Sequence, residues 1–159
     1  MSLESVKKQF RQEGLPLTVV ELETSSATVE LAAKALDVEP GRIAKTMALR
    51  LKDQDILILA KGDVRIDNRK FKEQFNEKAK FIETAEVLEV TGHPVGGVCP
   101  FGLKRPLPVY LDKSLQIYNY VYPAGGSPNS AVKIDLEYLK KITHGEWVDV
   151  CKEKEPEIV

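Results

Sequence analysis

The chain has 159 residues, of which 43% are hydrophobic and 30% charged, and its formal net charge is −1. This length and balance fit one globular domain large enough to bury a core. Near-neutral charge excludes a protein that grips a long duplex through a basic face, so no DNA partner is expected, while a short nucleic-acid end stays within reach.

Leu3, Val6 and Phe10 recur at helical spacing in residues 3–13, and Gly14 with Pro16 stops the pattern. Leu17 to Leu22 is a short β-branched run and reads as a strand. Ser25 or Ser26 is placed to cap a helix whose apolar face is Val29, Ala32, Ala33 and Leu36. Pro40-Gly41 breaks it. Ile43 to Leu51 reads as a strand, with Ile56 to Ala60 as its hairpin partner across Lys52-Asp53-Gln54-Asp55. Asp67 caps a helix to about Phe75, and Thr84 starts another through Val87 and Leu88 to Val90.

The next stretch, Thr91 to Gly102, holds four glycines and two prolines in twelve residues. That is too many breakers for a helix or a regular strand. Yet Val95, Val98, Cys99 and Phe101 are apolar, so the segment is no polar linker. It reads either as a shaped wall whose glycine-freed backbone a ligand approaches, or as a tightly packed turn. Leu107 to Leu111 and Ile117 to Tyr122 follow as strands, then a second loop, Pro123 to Pro128. Ala131 to Ile134 is a strand, Asp135 caps a helix carrying Leu136, Leu139 and Ile142, and Trp147 to Val150 is a last strand. The charged stretch from Lys152 to Val159 is expected to fray. The domain is therefore taken as residues 1–152 and the tail as 153–159. The mixture predicts an α/β (α+β) domain with a mixed, mostly antiparallel sheet.

Two cysteines, Cys99 and Cys151, lie far apart and without metal-ligand spacing, so neither a metal nor a disulfide framework is expected. The count suits a reducing cytoplasm. The first residues, Met1 to Arg11, have no apolar leader core, and no run of about eighteen apolar residues marks a membrane span. Neither a Ser-His-Asp order nor a phosphate-binding glycine fingerprint is present.

Lys45 shares a strand face with Ile43, Met47 and Leu49. A lysine on such a face either snorkels to the rim or is aimed at an anionic group of a substrate. Cys99 and His93 allow a thiol nucleophile with its base, or a small buried residue in an apolar turn. His144 reads as a helix-end residue meeting the dipole, and Asp63 and Asp67 as a solvated turn and a helix start.

The order of Ile43-Ala44-Lys45-Thr46-Met47, Thr91-Gly92 with Val95 to Gly102, Leu107 to Asp112, and Ala124-Gly125-Gly126-Ser127 resembles the YbaK/prolyl-tRNA-synthetase-associated (ProX-like) editing domain family. The resemblance runs from about Ser5 to Val150. It implies a mixed sheet curled into a partly closed barrel and flanked by helices. It implies a trans-acting aminoacyl-tRNA deacylase without cofactor, with the tRNA acceptor end as partner and a synthetase or elongation factor as associate. The functional lysine matches Lys45. The substrate-binding loop matches Gly96, Gly97, Val98, Cys99, Pro100, Phe101 and Gly102, and the second loop matches Gly125, Gly126 and Ser127. Two departures stand out: Cys99 occupies a position where relatives commonly have serine, and Gly125 to Ser130 lacks a basic residue that some relatives carry. Two alternatives remain open: a catalytically silent module that binds the acceptor end, and a thiol-dependent hydrolase using Cys99 and His93.

Overall fold

The structure is a computed structural model that describes residues 2–154. α1 (Ser2–Gln12) buries Val6 and Phe10, which the i, i+4 spacing places on one face. β1 (Val19–Glu21) and α2 (Val29–Leu36) follow. The cap of α2 is Thr28, whose hydroxyl accepts from Leu31 N at 3.2 Å, rather than Ser25 or Ser26. Only the residue directly before the first turn reaches its orphan N–H groups. A 3-10 turn at Pro40–Arg42 leads into β2 (Ala44–Arg50), which forms the expected hairpin with β3 (Asp55–Lys61). β4 (Val64–Ile66), α3 (Asn68–Phe75, capped by Asp67) and α4 (Thr84–Thr91) come next.

The second half contains β5 (Val109–Asp112), β6 (Tyr120–Val121), β7 (Ser130–Val132) and β8 (Ile134–Asp135). It ends with α5 (Leu136–Thr143, capped by Asp135), β9 (Glu146–Val148) and β10 (Cys151–Glu153). The expected strand from Ile117 to Tyr122 shrinks to β6. A 3-10 turn over Lys113–Ile117, capped by the Asp112 carboxylate, takes up its start. The run from Ala131 to Ile134 splits at Lys133, because β7 pairs with β1 and β8 with β6. Lys152 and Glu153, read as tail, pair with Arg65 and Val64 in the β10–β4 ladder. The rest of the expected tail beyond Lys154 lies outside the described residues.

The largest sheet has the order β2-β3-β5-β9, antiparallel at β2–β3 and parallel at β3–β5 and β5–β9. The sheet system is mixed and mostly antiparallel, flanked by helices. The partly closed barrel does not form. Three short two-stranded ladders stand apart from the large sheet. Only the isolated bridges Ile43↔Tyr122 and Leu49↔Phe81 reach the outer edge of β2. Two bridges separated by an unpaired stretch cannot close a ladder.

β3 is the keel of the core. Ile56, Leu57, Ile58, Leu59 and Ala60 are fully buried, as a central strand covered on both faces requires. Leu57 and Leu59 pack with α1 and α5 residues, whereas Ile56, Ile58 and Ala60 pack with Phe71 and Val150. At the end of β5, the buried Asp112 carboxylate accepts from Val150 N at 2.8 Å and from Ser114 N at 3.0 Å. It ties the central sheet to the connection entering β10. Asp112→Ala orphans the buried Val150 amide and should lower unfolding free energy by about 2–4 kcal/mol. Asp112→Asn, which keeps one acceptor oxygen, should cost less. Urea unfolding of the three proteins measures this; an alanine variant as stable as wild type would show that the carboxylate ties nothing.

Candidate functional site

The outer edge of β2 carries the site. Ala44 N donates to Tyr122 O at 3.1 Å, Ile82 N donates to Ala48 O at 3.0 Å, and Arg50 N donates to Lys80 O at 2.8 Å. These bonds show that the even-numbered residues of β2 point their main-chain groups away from β3. The N–H and C=O of Thr46 therefore face outward, and no backbone group of the described residues closes on them. Thr46 Oγ1 is buried and also has no hydrogen-bond partner among the described residues.

A cavity of about 300 Å³ lies against this stretch, at the small end of the range for ligand pockets. Opposite β2, its walls include Ala27 and Thr28 before α2, Val87 of α4, and Val95, Gly96 and Val98 of the first glycine loop. Ala124 of the second loop and Lys45 also border it. The lining is apolar apart from a few convergent polar groups, chiefly Thr46 and Lys45.

The residues singled out in the sequence separate into two sets. Gly96 (φ 90°) and Val98 line the cavity, and a Cβ on Gly96 would come within 2.9 Å of Ala27 Cβ, its neighbour in the wall that faces β2. Gly97 sits behind them, with its would-be Cβ 2.7 Å from Ser127 N, so it lets the two glycine loops touch. Gly125 packs on Val19 and Ser130, and Gly126 (φ 100°) packs on Ser2. Ser127 Oγ donates to Asn129 Oδ1 at 3.0 Å and lies 2.8 Å from Ser130 Oγ. None of Gly125, Gly126 and Ser127 lines the cavity. Pro100 and Gly102 border a separate hollow beside α1.

Lys45 stands at the lip of the cavity. Its Nζ donates to Val64 O across the opposite face of β2. Burial is the main cause that lowers its pKa, and the charge of Lys154 adds to the effect. Its ammonium is thus held half out of water with a neutral carbonyl as hydrogen-bond acceptor.

Cys99 and His93 do meet, at 3.6 Å between Sγ and Nε2, but deep in the core. His93 Nε2 lies 2.6 Å from Phe101 O, so this nitrogen carries the proton and donates to the carbonyl. It has no lone pair with which to deprotonate the thiol. The thiol itself donates to Phe101 O at 3.6 Å, and burial pushes its pKa up to about 12. Burial likewise lowers the His93 pKa and keeps the ring neutral. Phe101 is buried against Phe10, edge to face at 5.2 Å. This cluster anchors the loop; neither Cys99 nor Phe101 lines the cavity.

Thr46 was not singled out by the sequence reading, although a signal existed. Ala44, Thr46 and Ala48 alternate along an otherwise apolar strand, and a face of small residues leaves space above it. Phe81, a residue 54% exposed at the mouth, carries no such signal. Among the described residues no His, Cys, Asp and Glu cluster could hold a metal ion, and no helix is long and apolar enough to cross a membrane.

With this geometry in hand, comparison with known proteins is direct. The aminoacyl-tRNA editing domain family matches residues 23–142, a span that contains every wall of the cavity. The chain is 48% identical over 157 residues to "Uncharacterized protein YwhH" of Bacillus subtilis, covering 98% of this chain and all of that one. It is 26% identical over 125 residues to "Putative Cys-tRNA(Pro)/Cys-tRNA(Cys) deacylase EbsC" of Enterococcus faecalis, covering 77% and 76% of the two chains. The solved structure titled "Crystal structure of a putative trans-editing enzyme for prolyl tRNA synthetase" superposes with a TM-score of 0.87 at 32% identity, covering 97% of this chain and 98% of its own.

Two outcomes follow from the loop geometry. In the native protein at neutral pH, Cys99 and the buried Cys151 should resist iodoacetamide, and both should react once denaturant is added. Rapid labelling of folded protein at Cys99, read by mass spectrometry, would contradict the buried, protonated thiol. Gly97→Ala should destabilise more than Gly96→Ala. The first drives a Cβ to within 2.7–2.8 Å of three backbone atoms of Ser127, while the second meets chiefly the Ala27 Cβ at 2.9 Å and adds the strain of a positive φ. Thermal melting ranks the two, and the reverse order would show that the loops do not brace each other.

Proposed function

The chain belongs to the aminoacyl-tRNA editing domain family, and on that premise we propose that it is a trans-acting deacylase that hydrolyses the ester of a mischarged tRNA. The observation that carries this reading is the unpaired edge of β2 at Thr46, facing a glycine-loop wall across a small cavity. An aminoacyl ester presents an amine, a carbonyl and a small side chain. The Thr46 N–H, C=O and hydroxyl complement the first two, and the apolar walls receive the third.

The ester is already activated, so the reaction needs no protein nucleophile. Water, oriented by the free ribose hydroxyl, adds to the carbonyl carbon; the ester C–O bond then breaks, the amino acid leaves with the oxygen of water, and the ribose oxygen takes the proton. Charge develops on the carbonyl oxygen, which calls for fixed donors. In the first glycine loop, Gly97 N is committed to Pro94 O at 2.9 Å and Gly102 N to Gln9 Oε1 at 2.6 Å. Gly96 N and Val98 N have no partner among the described residues and belong to the cavity wall. One such donor is worth about 2.7–4 kcal/mol in other enzymes. Lys45 would exchange its carbonyl partner for the ribose or terminal phosphate and so set the ester against the loop.

The decisive experiment is release of amino acid from a panel of cysteinyl, alanyl, seryl and threonyl tRNAs. Turnover on at least one is expected; tight binding with no release would assign the chain to a silent acceptor-end module. Lys45→Ala should abolish or severely weaken turnover with the fold intact. Thr46→Val removes a buried hydroxyl that has no partner, so melting temperature should hold or rise. Its kcat/KM should fall by about tenfold or more, the loss of one hydrogen bond of about 1.4 kcal/mol or greater. A Thr46→Val enzyme with wild-type turnover would move the substrate away from β2.

A further inference from the structure

Beside the cavity, the segment Lys78 to Ile82 runs along the outer edge of β2, anchored by the Arg50 N to Lys80 O and Ile82 N to Ala48 O bonds. Phe81 bridges to Leu49 in this segment. The residue is 54% exposed at the cavity mouth, and no aromatic ring of the described residues stacks on it. Val95, 57% exposed, stands on the rim of the same cavity. An exposed aromatic side chain at the cavity mouth offers an apolar, π-bearing face that a planar group can cover.

Directly beyond lies a surface hollow lined by Arg50, Leu51, Lys52, Glu77, Lys78 and Lys80. Arg50 is neutralised by Asp55 at 2.8 Å and Glu86 at 3.1 Å. Glu77 already accepts from Lys52 N at 2.7 Å. Lys52, Lys78 and Lys80 are exposed, and their ammonium groups form no ion pair with the described residues. The hollow holds one carboxylate of its own, the half-buried Glu77, and Asp53 and Glu83 are nearby exposed carboxylates along the chain. On a chain of net charge −1, three uncommitted lysines in one hollow are a local concentration of positive charge. An aromatic ring followed by free cations is the arrangement that holds a single-stranded nucleic acid, bases on the ring and phosphates on the lysines.

We propose that Phe81 and the Lys52–Lys78–Lys80 hollow form the docking surface for the single-stranded 3′ end of the RNA substrate. The terminal base stacks at the cavity mouth and the preceding phosphates lie over the lysines. This rests on the deacylase reading for the identity of the ligand, but it is tested without any hydrolysis. The probe is a fluorescein-labelled single-stranded RNA ending in CCA and carrying no amino acid, titrated with the full chain by fluorescence anisotropy at several salt concentrations.

Three variants are compared with wild type: Phe81→Ala, Phe81→Tyr and the double variant Lys78→Ala/Lys80→Ala, each checked by thermal melting. Phe81→Ala should weaken binding about tenfold, the usual loss for one stacked base, and Phe81→Tyr should retain it. The double variant should lower the slope of log affinity against log salt by about 1.4, as two lost contacts to a single strand require. Variants that bind like wild type with an unchanged slope would overturn the proposal. So would poly-glutamate displacing the RNA at equal charge, an outcome that gives the hollow to an acidic protein partner. A protein that binds RNA in the expected way but releases no amino acid from any charged tRNA would refute the deacylase reading and leave the docking surface standing.

Discussion

The unpaired stretch of β2 at Thr46 is the constraint on which the rest of the molecule turns. A strand bonded on one side only exposes main-chain donors and acceptors that cost about 1–3 kcal/mol each when buried without partners. Here the exposure is confined. Tyr122 closes the edge at Ala44, and Ile82 with Lys80 closes it at Ala48 and Arg50. What remains is a short open stretch, from the Ala44 C=O through both main-chain groups of Thr46 to the Ala48 N–H, with the Thr46 hydroxyl beside it, against a cavity small enough to be filled by a compact group. The same gap keeps the sheet from closing into a barrel. The open architecture and the candidate site are one feature.

The first glycine loop has no ladder of its own and the second only the isolated Ala124↔Ala131 bridge, so much of their shape is imposed from outside. α1 does most of this. Gln9 Oε1 accepts from Gly102 N at 2.6 Å, Ser5 Oγ donates to Gly102 O at 3.0 Å, and Ser2 Oγ donates to Gly126 O. From beneath, the Phe101 carbonyl collects both the His93 ring and the Cys99 thiol. One helix outside residues 23–142 thus holds one end of the first loop and the middle of the second. The loop faces the cavity only at Val95, Gly96 and Val98, and the residues after them serve as its foundation.

Much of this was legible in the chain. The β2–β3 hairpin follows from two apolar runs joined by a polar turn, and the caps at Asp67 and Asp135 from an acidic residue directly before a periodic pattern. Lys45 was placed on the correct strand, and its departure from an apolar face marked it. Other features depend on contacts that no local pattern encodes. The 3-10 turn over Lys113–Ile117 wins over the strand because the Asp112 carboxylate also serves Val150, 38 positions away. β10 exists because Cys151–Glu153 finds β4. Cys99 and Pro100 look like site residues only while the loop is read as uniform. Gly102, with a would-be Cβ 2.5 Å from Val6 N, is fixed by helix contact rather than by ligand approach. Phe81 passes for a core residue in sequence, since only the edge position of its segment leaves it exposed.

If the chain is the deacylase proposed above, the division of labour within the cavity bears on its selectivity. Apolar walls such as Val87 and Val98 sort side chains by size, and one methylene is worth only about 1–3 kcal/mol in such a setting. In the proposed reaction the Thr46 groups and the loop N–H groups would address the amine and carbonyl, which every aminoacyl ester shares. An enzyme built this way draws its rate from features common to all substrates and its choice from modest steric differences. Discrimination between tRNAs must then come from beyond the cavity. The net charge of −1 offers no general attraction for RNA, so any such contribution has to be local. The uncommitted lysines that continue from the cavity mouth are where this chain concentrates it.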